Sequence, residues 1–479
     1  MKKRLIKLLM INFVSVVVQA QTITRGPYIN NSDTKATIRW RTNAPTKSVV
    51  TIGASTYTDE TETTEHIVKI TGLNPNTNYT YLIGTTQAAF PADTNYHFRT
   101  APVAGTYVRP IIVVGFGDFG VNSADQNNVE EALPQQADVW HWYGDNSYPI
   151  GSVSDYETNT FGTHYRKHYP KISLMPALGN HDAVSASPTT QTGPYFDYFS
   201  LPTAGEYGGV ASTTKAYYSY NYGHVHFIVL ESTVGSFRNP TGAMANWLRQ
   251  DLQADKSKWR VVYFHHPPFS KGSHDSDNEI ELIEMRQNIV PILEQYGVDL
   301  VLGGHCHSYE RSHFINGFYG ISAQFNASYR LSAGTGFPAP YQKTDKGAVY
   351  AVVGTGGVHA ENAGIHQAMA ASISNKYGYA KMTFTHDSLW FRFIDISQQV
   401  LDQFIIQKAD PCPEQLILSS PPHTGTQTYE AHLTILSDNQ LTNSSTVWYS
   451  AGKSVELKPG FTAPAGSTFR AFIGGCNPP

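Results

Sequence analysis

Five short apolar runs, rich in β-branched and aromatic residues, each stop at a polar loop, and this repeated pattern limits the fold more than any other feature. Ile111-Ile112-Val113-Val114 leads to Gly117-Asp118-Phe119-Gly120, and Val139-Trp140-His141-Trp142-Tyr143 to Gly144-Asp145-Asn146-Ser147-Tyr148. Leu174-Met175-Pro176-Ala177-Leu178-Gly179 leads to Asn180-His181-Asp182, and Val261-Val262-Tyr263-Phe264 to His265-His266-Pro267-Pro268. The stretch from Val298 to Leu302 leads to Gly304-His305-Cys306-His307. Runs that are apolar on both faces suit strands buried inside an α/β sheet. In such sheets ligands gather beyond the carboxyl ends of the strands. Loops far apart in sequence can therefore converge on one site that supplies two Asp, a Tyr, an Asn and three His. Helices should pad the sheet. Met244, Trp247, Leu248 and Leu252 mark one apolar helical face, and Pro291 to Tyr296 leads into the strand before His305. The stretch from Tyr377 to Leu401 reads as closing antiparallel strands.

The donor set points to metal chemistry. Neutral imidazole is a common ligand of transition metals. Seven candidate donors exceed what one ion takes from protein, so two ions about 3.5–4 Å apart are implied, with one carboxylate between them. Tyrosinate and carboxylate favour a hard, highly charged ion such as Fe(III), whereas Asn and two imidazoles suit a divalent one.

Taken in order, Gly-Asp-x-Gly, Gly-Asp-x-x-Tyr, Gly-Asn-His-Asp, Val-x-x-His and Gly-His-x-His resemble the five motif blocks of the purple acid phosphatases, a branch of the calcineurin-like metallophosphoesterases. The resemblance covers roughly Val108 to Lys408, and Tyr309-Glu310-Arg311 narrows it to the plant-like, high-molecular-weight branch. It implies that Asp118, Tyr148 and His307 hold Fe(III). It further implies that Asn180, His265 and His305 hold a divalent ion (Zn, Fe or Mn), with Asp145 as the bridge. Asp182 departs from the pattern, since the family usually has Glu there; other metallophosphoesterases carry Asp. The implied activity is hydrolysis of phosphate monoesters by a metal-bound hydroxide. His181 and His274 are the implied outer imidazoles that stabilise the phosphoryl group and protonate the leaving alcohol. The family's plant-like members suggest a dimer, which no residue here demonstrates.

Other polar residues read as structural. His164 and His168, at helical spacing, are expected at the surface or outside the metal ligands, and His224 and His226 on one face of a strand. Cys306 reads as a small packed residue, while Glu310 and Arg311 are either structural or support the ligands.

Residues 1–20 carry Met1-Lys2-Lys3-Arg4-Leu5, an apolar stretch from Leu8 to Val18, and Val18-Gln19-Ala20. This is the pattern of a secretory signal peptide cleaved after Ala20, so the protein is expected to be secreted, periplasmic or at the cell surface, with no integral membrane segment afterwards. A formal net charge of −4 and the lack of a basic tract beyond that leader argue against a nucleic-acid partner. Residues 21–104 are expected to form a β-sandwich resembling fibronectin type III, on the pattern Gly72-Leu73-Asn74-Pro75-Asn76-Thr77-Asn78-Tyr79. Residues 105–408 form the expected α/β metallophosphoesterase domain, with its metal ligands at the strand ends. Residues 409–479 form a small β module bracketed by Cys412 and Cys476, which are expected to pair as a disulfide in an exported protein. Surface attachment, secretion targeting and carbohydrate contact all remain open for that module. The leading function is thus a secreted acid phosphatase acting on phosphorylated small molecules. The alternatives are a phosphodiesterase or nucleotide pyrophosphatase on the same metals, or a non-catalytic surface binding protein.

Overall fold

The computed structural model describes residues 21–85, 90–332, 334–408 and 413–476. The leader expected at 1–20 and Cys412 lie outside the described residues. At the centre stand two seven-stranded sheets sharing one large hydrophobic core. One sheet runs Tyr341–Lys343, Val400–Lys408, Ser388–Asp395, Gly378–Phe384, Ile111–Phe116, Val139–Tyr143, Ser173–Ala177. The other runs Met369–Ile373, Tyr309–Ser312, Val349–Val353, Leu300–Gly303, Trp259–Tyr263, Val225–Val229, Tyr218–Tyr222. The five runs singled out in the sequence are all parallel strands in the middle or at one edge of these sheets. Where the sheets face each other aromatic rings meet, as His141 on Tyr263 (4.3 Å between centroids) and Tyr309 on Phe393 (4.2 Å). The helix Ala243–Ala254 buries Met244, Trp247, Leu248 and Leu252 as its periodicity requires. Ser388–Asp395 pairs antiparallel with Gly378–Phe384 and Val400–Lys408, closing one sheet.

The amino-terminal strands Ile23–Asn31, Lys35–Ile52, Ser55–Thr71, Asn78–Gly84 and His97–Arg99 pair antiparallel around a separate core that holds Ile38, Trp40, Val50, Tyr81 and Phe98. In the Gly-Leu-x-Pro-x-Thr-x-Tyr motif Leu73 is buried, and the Tyr79 hydroxyl accepts a hydrogen from the Asn74 N–H at 2.8 Å. A tyrosine that ties down the chain a few residues upstream is a device of β-sandwich corners. This unit is welded to the centre: Tyr28 joins the central core, its hydroxyl donates to the Tyr198 carbonyl (2.6 Å), and buried Arg25 pairs with Glu65 and Glu157.

The carboxyl-terminal strands follow a different plan. Gln415–Leu418, Thr434–Ser437 and Ser454–Leu457 stack in parallel in one sheet; Thr426–Ala431, Thr446–Ala451 and Thr468–Ile473 stack in parallel in another. The chain alternates between the two, so the module is a three-turn parallel coil that repeats roughly every twenty residues. Ladders of like residues fill it, such as Leu416, Ile435 and Val455. Cys476 is disulfide-bonded and Cys306 is free and buried.

His164 and His168 lie outside the metal-centre donors, one of the two placements expected, and not at the surface. Both are buried, and neither lies on a helix. The His164 ring nitrogens face the side-chain oxygens of Asn127 (2.6 Å) and Asn122 (2.9 Å), which gives an interior imidazole partners that water would otherwise supply.

Candidate metal centre

Asp118, Asp145, Asn180, His265 and His305 each follow the carboxyl end of a parallel strand, three in one sheet and two in the other, so the centre straddles the facing sheets. The turns that bring them in are tight. Asp118 (φ 60°), Asp145 (φ 51°) and His305 (φ 68°) all adopt left-handed backbone, a rare state for residues with side chains and one that clusters at functional sites. Two glycines make room for the approach. A Cβ on Gly144 (φ 89°) would lie 2.5 Å from His265 Nδ1, and one on Gly304 would lie 2.6 Å from Asp118 Oδ2.

All seven donors of the sequence analysis come together, and they sort into two sets. The Tyr148 hydroxyl lies 3.3 Å from Asp118 Oδ1, 3.2 Å from Asp145 Oδ2 and 3.3 Å from His307 Nε2. Asn180 Oδ1 lies 2.9 Å from His265 Nε2 and 3.0 Å from His305 Nδ1. Asp145 Oδ2 belongs to both, being 3.2 Å from His265 Nε2 as well. Asp118 Oδ2 also accepts from the His305 N–H (2.9 Å), and Asp145 Oδ1 from the His181 N–H (2.8 Å).

The site is short of hydrogens. Tyr148 has one hydroxyl proton to share among three groups able to accept it, and Asn180 Oδ1, which cannot donate, faces two imidazole nitrogens. Burial, with Asp145 beside it, pushes the Asp118 carboxyl up to about 8. Burial also drives His305 and His307 down to about 4, so their imidazoles are neutral and carry lone pairs. His265 goes the other way: burial opposes its charge, but the Asp145 carboxylate raises its pKa to about 9. Crowded acceptors, two neutral imidazoles and paired buried carboxylates make a donor set that fits cations.

The two outer histidines sit on either side. His181 lies against Tyr148 (4.2 Å between ring centroids), and its Nδ1–H donates to the Pro149 carbonyl at 2.6 Å, which leaves Nε2 3.9 Å from Asp145 Oδ2. His274 stacks on His305 at 3.7 Å. About a third of each side chain is exposed. Asp182, the departure noted in the third block, is buried and accepts from Gly179 N (3.0 Å), Asn146 N (3.1 Å), Asn146 Nδ2 (2.9 Å) and the Tyr156 hydroxyl (2.6 Å). It therefore ties the second loop to the third. Cys306 is a packed thiol that receives the Ser270 hydroxyl at 2.9 Å, Glu310 is buried on Ser270, and Arg311 forks onto Asp402 (2.6 and 3.0 Å). His226 is buried against Asp251 at 2.7 Å, away from the centre.

Sequence reasoning missed Glu279. Its carboxylate lies 3.0 Å from His274 Nδ1 and 3.1 Å from His305 Nε2. The only signal was its place five residues after His274, in a run of acidic residues that reads as solvated surface.

A model of the calcineurin-like phosphoesterases matches residues 112–309. Purple acid phosphatase 15 of Arabidopsis thaliana is 27% identical over 272 residues, covering 52% of this chain and 49% of that protein. The phosphoenolpyruvate phosphatase of Allium cepa is 28% identical over 398 residues, covering 77% of this chain and 75% of that protein. The chain thus spans about half the length of the first curated relatives it matches (49% and 57%). Among solved structures, a purple acid phosphatase from yellow lupin seeds shares the fold at a TM-score of 0.61 and 20% identity, covering 80% of this chain and 74% of that one. Residues 112–309 thus match a calcineurin-like phosphoesterase domain, and plant purple acid phosphatases are among the proteins this chain is similar to.

Proposed function

We propose that the protein is an exported hydrolase of phosphate monoesters, working at a pair of metal ions. The observation that carries this reading is the sorting of seven side chains into two sets that share Asp145. Asp118, Tyr148 and His307 would hold Fe(III), Asn180, His265 and His305 a divalent ion (Zn, Fe or Mn), with Asp145 reaching both. Bound there, the ions would supply Lewis acidity and an activated water. The remaining work falls to the chain. His181, oriented by its bond to the Pro149 carbonyl, presents Nε2 to the site, where it can steady a phosphoryl oxygen or pass a proton to the departing alcohol. His274 offers a second imidazole on the opposite side.

Export is supported by the leader pattern in residues 1–20 and by the disulfide at Cys476, since disulfides persist in oxidising compartments. Among the described residues, no helix is long and apolar enough to cross a membrane. A fibronectin type III reading of the amino-terminal unit is supported by the Tyr79 corner.

The test is hydrolysis of an aryl phosphate monoester against the matching diester, from pH 4 to 9, by the mature metal-loaded protein. Monoester preference with an acidic optimum is expected. Diester preference would move the function to phosphodiesterase on the same ions. No turnover of either, with both ions bound, would overturn the hydrolase reading.

A further inference from the structure

We propose that Glu279 is a positioning residue that decides which nitrogen of His305 faces the metal centre and which nitrogen of His274 faces the substrate. The inference rests on the two-ion reading above. A neutral imidazole has one N–H and one lone pair, and a carboxylate only accepts. His305 Nε2, 3.1 Å from Glu279 Oε2, therefore carries the hydrogen, and the lone pair falls on Nδ1, 3.0 Å from Asn180 Oδ1. Two lone-pair atoms face each other there, which is the arrangement that a cation between them satisfies. His265 follows the same rule with a different anchor: its Nδ1–H donates to the Tyr143 carbonyl at 2.9 Å and its Nε2 faces Asn180. A ligating histidine held through its other N–H is the usual outer support of a metal site.

The same carboxylate serves His274. Both its oxygens lie 3.0 Å from His274 Nδ1, so that nitrogen donates and Nε2 is the one left to face the substrate. The carboxylate is itself pinned by the Asp275 N–H, which donates to Oε1 at 3.1 Å. With the two rings stacked at 3.7 Å, one side chain fixes the rotation of an inner and an outer imidazole together. Glu279 comes from the residue just before the short helix Ile280–Glu284, outside all five motif blocks.

The experiment titrates the metal-free full chain with Zn²⁺ against a chromogenic chelator, for the wild type, Glu279→Gln and Glu279→Asp. The wild type should take two equivalents. Glu279→Gln should hold one of them about 10–100-fold more weakly with the other unchanged, and Glu279→Asp should recover part of the loss. Matching melting temperatures of the metal-free forms would exclude a folding defect. In saturating Zn²⁺, turnover of an aryl phosphate should fall in Glu279→Gln, and the double variant with His274→Ala should be no slower than His274→Ala alone. Fewer than two equivalents in the wild type would overturn the metal centre itself. Two equivalents in the wild type, held as tightly in Glu279→Gln, would leave the centre standing and overturn the positioning role. A third equivalent that disappears with Glu279 would make His274, Glu279 and His305 a ligand set of their own, and would also overturn it.

Discussion

Two buried histidines, one in the amino-terminal unit and one in the central sandwich, show how an interior imidazole built for packing differs from one built for binding. His66 stacks on Trp40 at 4.7 Å, and its Nε2 and Nδ1 meet the hydroxyls of Thr42 (2.7 Å) and Ser48 (2.8 Å). The Thr42 hydroxyl donates to the Ala44 carbonyl (2.9 Å) and so accepts from Nε2–H, while the Ser48 hydroxyl donates to Nδ1; both nitrogens are satisfied and nothing is lacking. His305 has left-handed backbone, and its nitrogens face an amide oxygen and a carboxylate. Its partners accept and do not donate, so hydrogens run short and positive charge is called for. Burial alone does not distinguish the two. The balance of donors and acceptors around them does.

The contrast can be broken most severely at Asp145, the one side chain common to both donor sets. Asp145→Ala should release both ions and lower hydrolysis by more than about 10²-fold, beyond the loss typical of an outer support. Elemental analysis of the purified variant checks the first part, and two retained ions would show that the carboxylate is not shared. Next in size is His181→Ala, expected to lower turnover about 10²-fold with metal content intact. Unchanged turnover would remove His181 from the reaction.

His66 should behave in the opposite way. Burial holds its pKa down at about 4, below the 6.5 of an unfolded chain. The unfolded state therefore takes up a proton before the folded state does, and stability is lost as the pH falls from about 6.5 to about 4, by a few kcal/mol at most (roughly 3.4 kcal/mol for the whole shift). Thermal melts across that window should show the loss, and His66→Gln should flatten it while leaving turnover per folded molecule the same to within about twofold. A melting curve with the same pH slope in the variant would assign the acid sensitivity to another group. If the proposed acidic optimum holds, this would place a limit on the scaffold that is separate from the limit set by the chemistry.

Most of the donor set was legible because Asp118, Asp145, Asn180 and His305 each follow an apolar run and a glycine, and His265 an apolar run directly, so that strand, turn and ligand are adjacent in sequence. Glu279 was not, since its role depends on a loop folding back over His305 and nothing local marks it. Asp182 was read as a departure from a family pattern, whereas its bonds to Asn146, Gly179 and Tyr156 show what a carboxylate does there. The burial of His164 and His168 was not legible because helical spacing rested on two residues, and the Asn122 and Asn127 that His164 meets lie about forty positions upstream. The carboxyl-terminal coil escaped for another reason. Its strands are short and its outer face mixes Thr with exposed Ile417, Trp448, Leu457, Phe472 and Ile473, so the repeat shows only in inward ladders such as Tyr429 beside Tyr449 and Ala431 beside Ala451.

The Asn180 set draws one donor from the loop after Ser173–Ala177 and two from loops after Trp259–Tyr263 and Leu300–Gly303, strands of opposite sheets. An ion held by these three would act as a rivet across the seam of the sandwich and resist any sliding of one layer over the other. Mechanical coherence and catalytic competence would then rise and fall together: a molecule stripped of its ions would lose part of what keeps its halves aligned, and one whose halves have slipped would be unable to load.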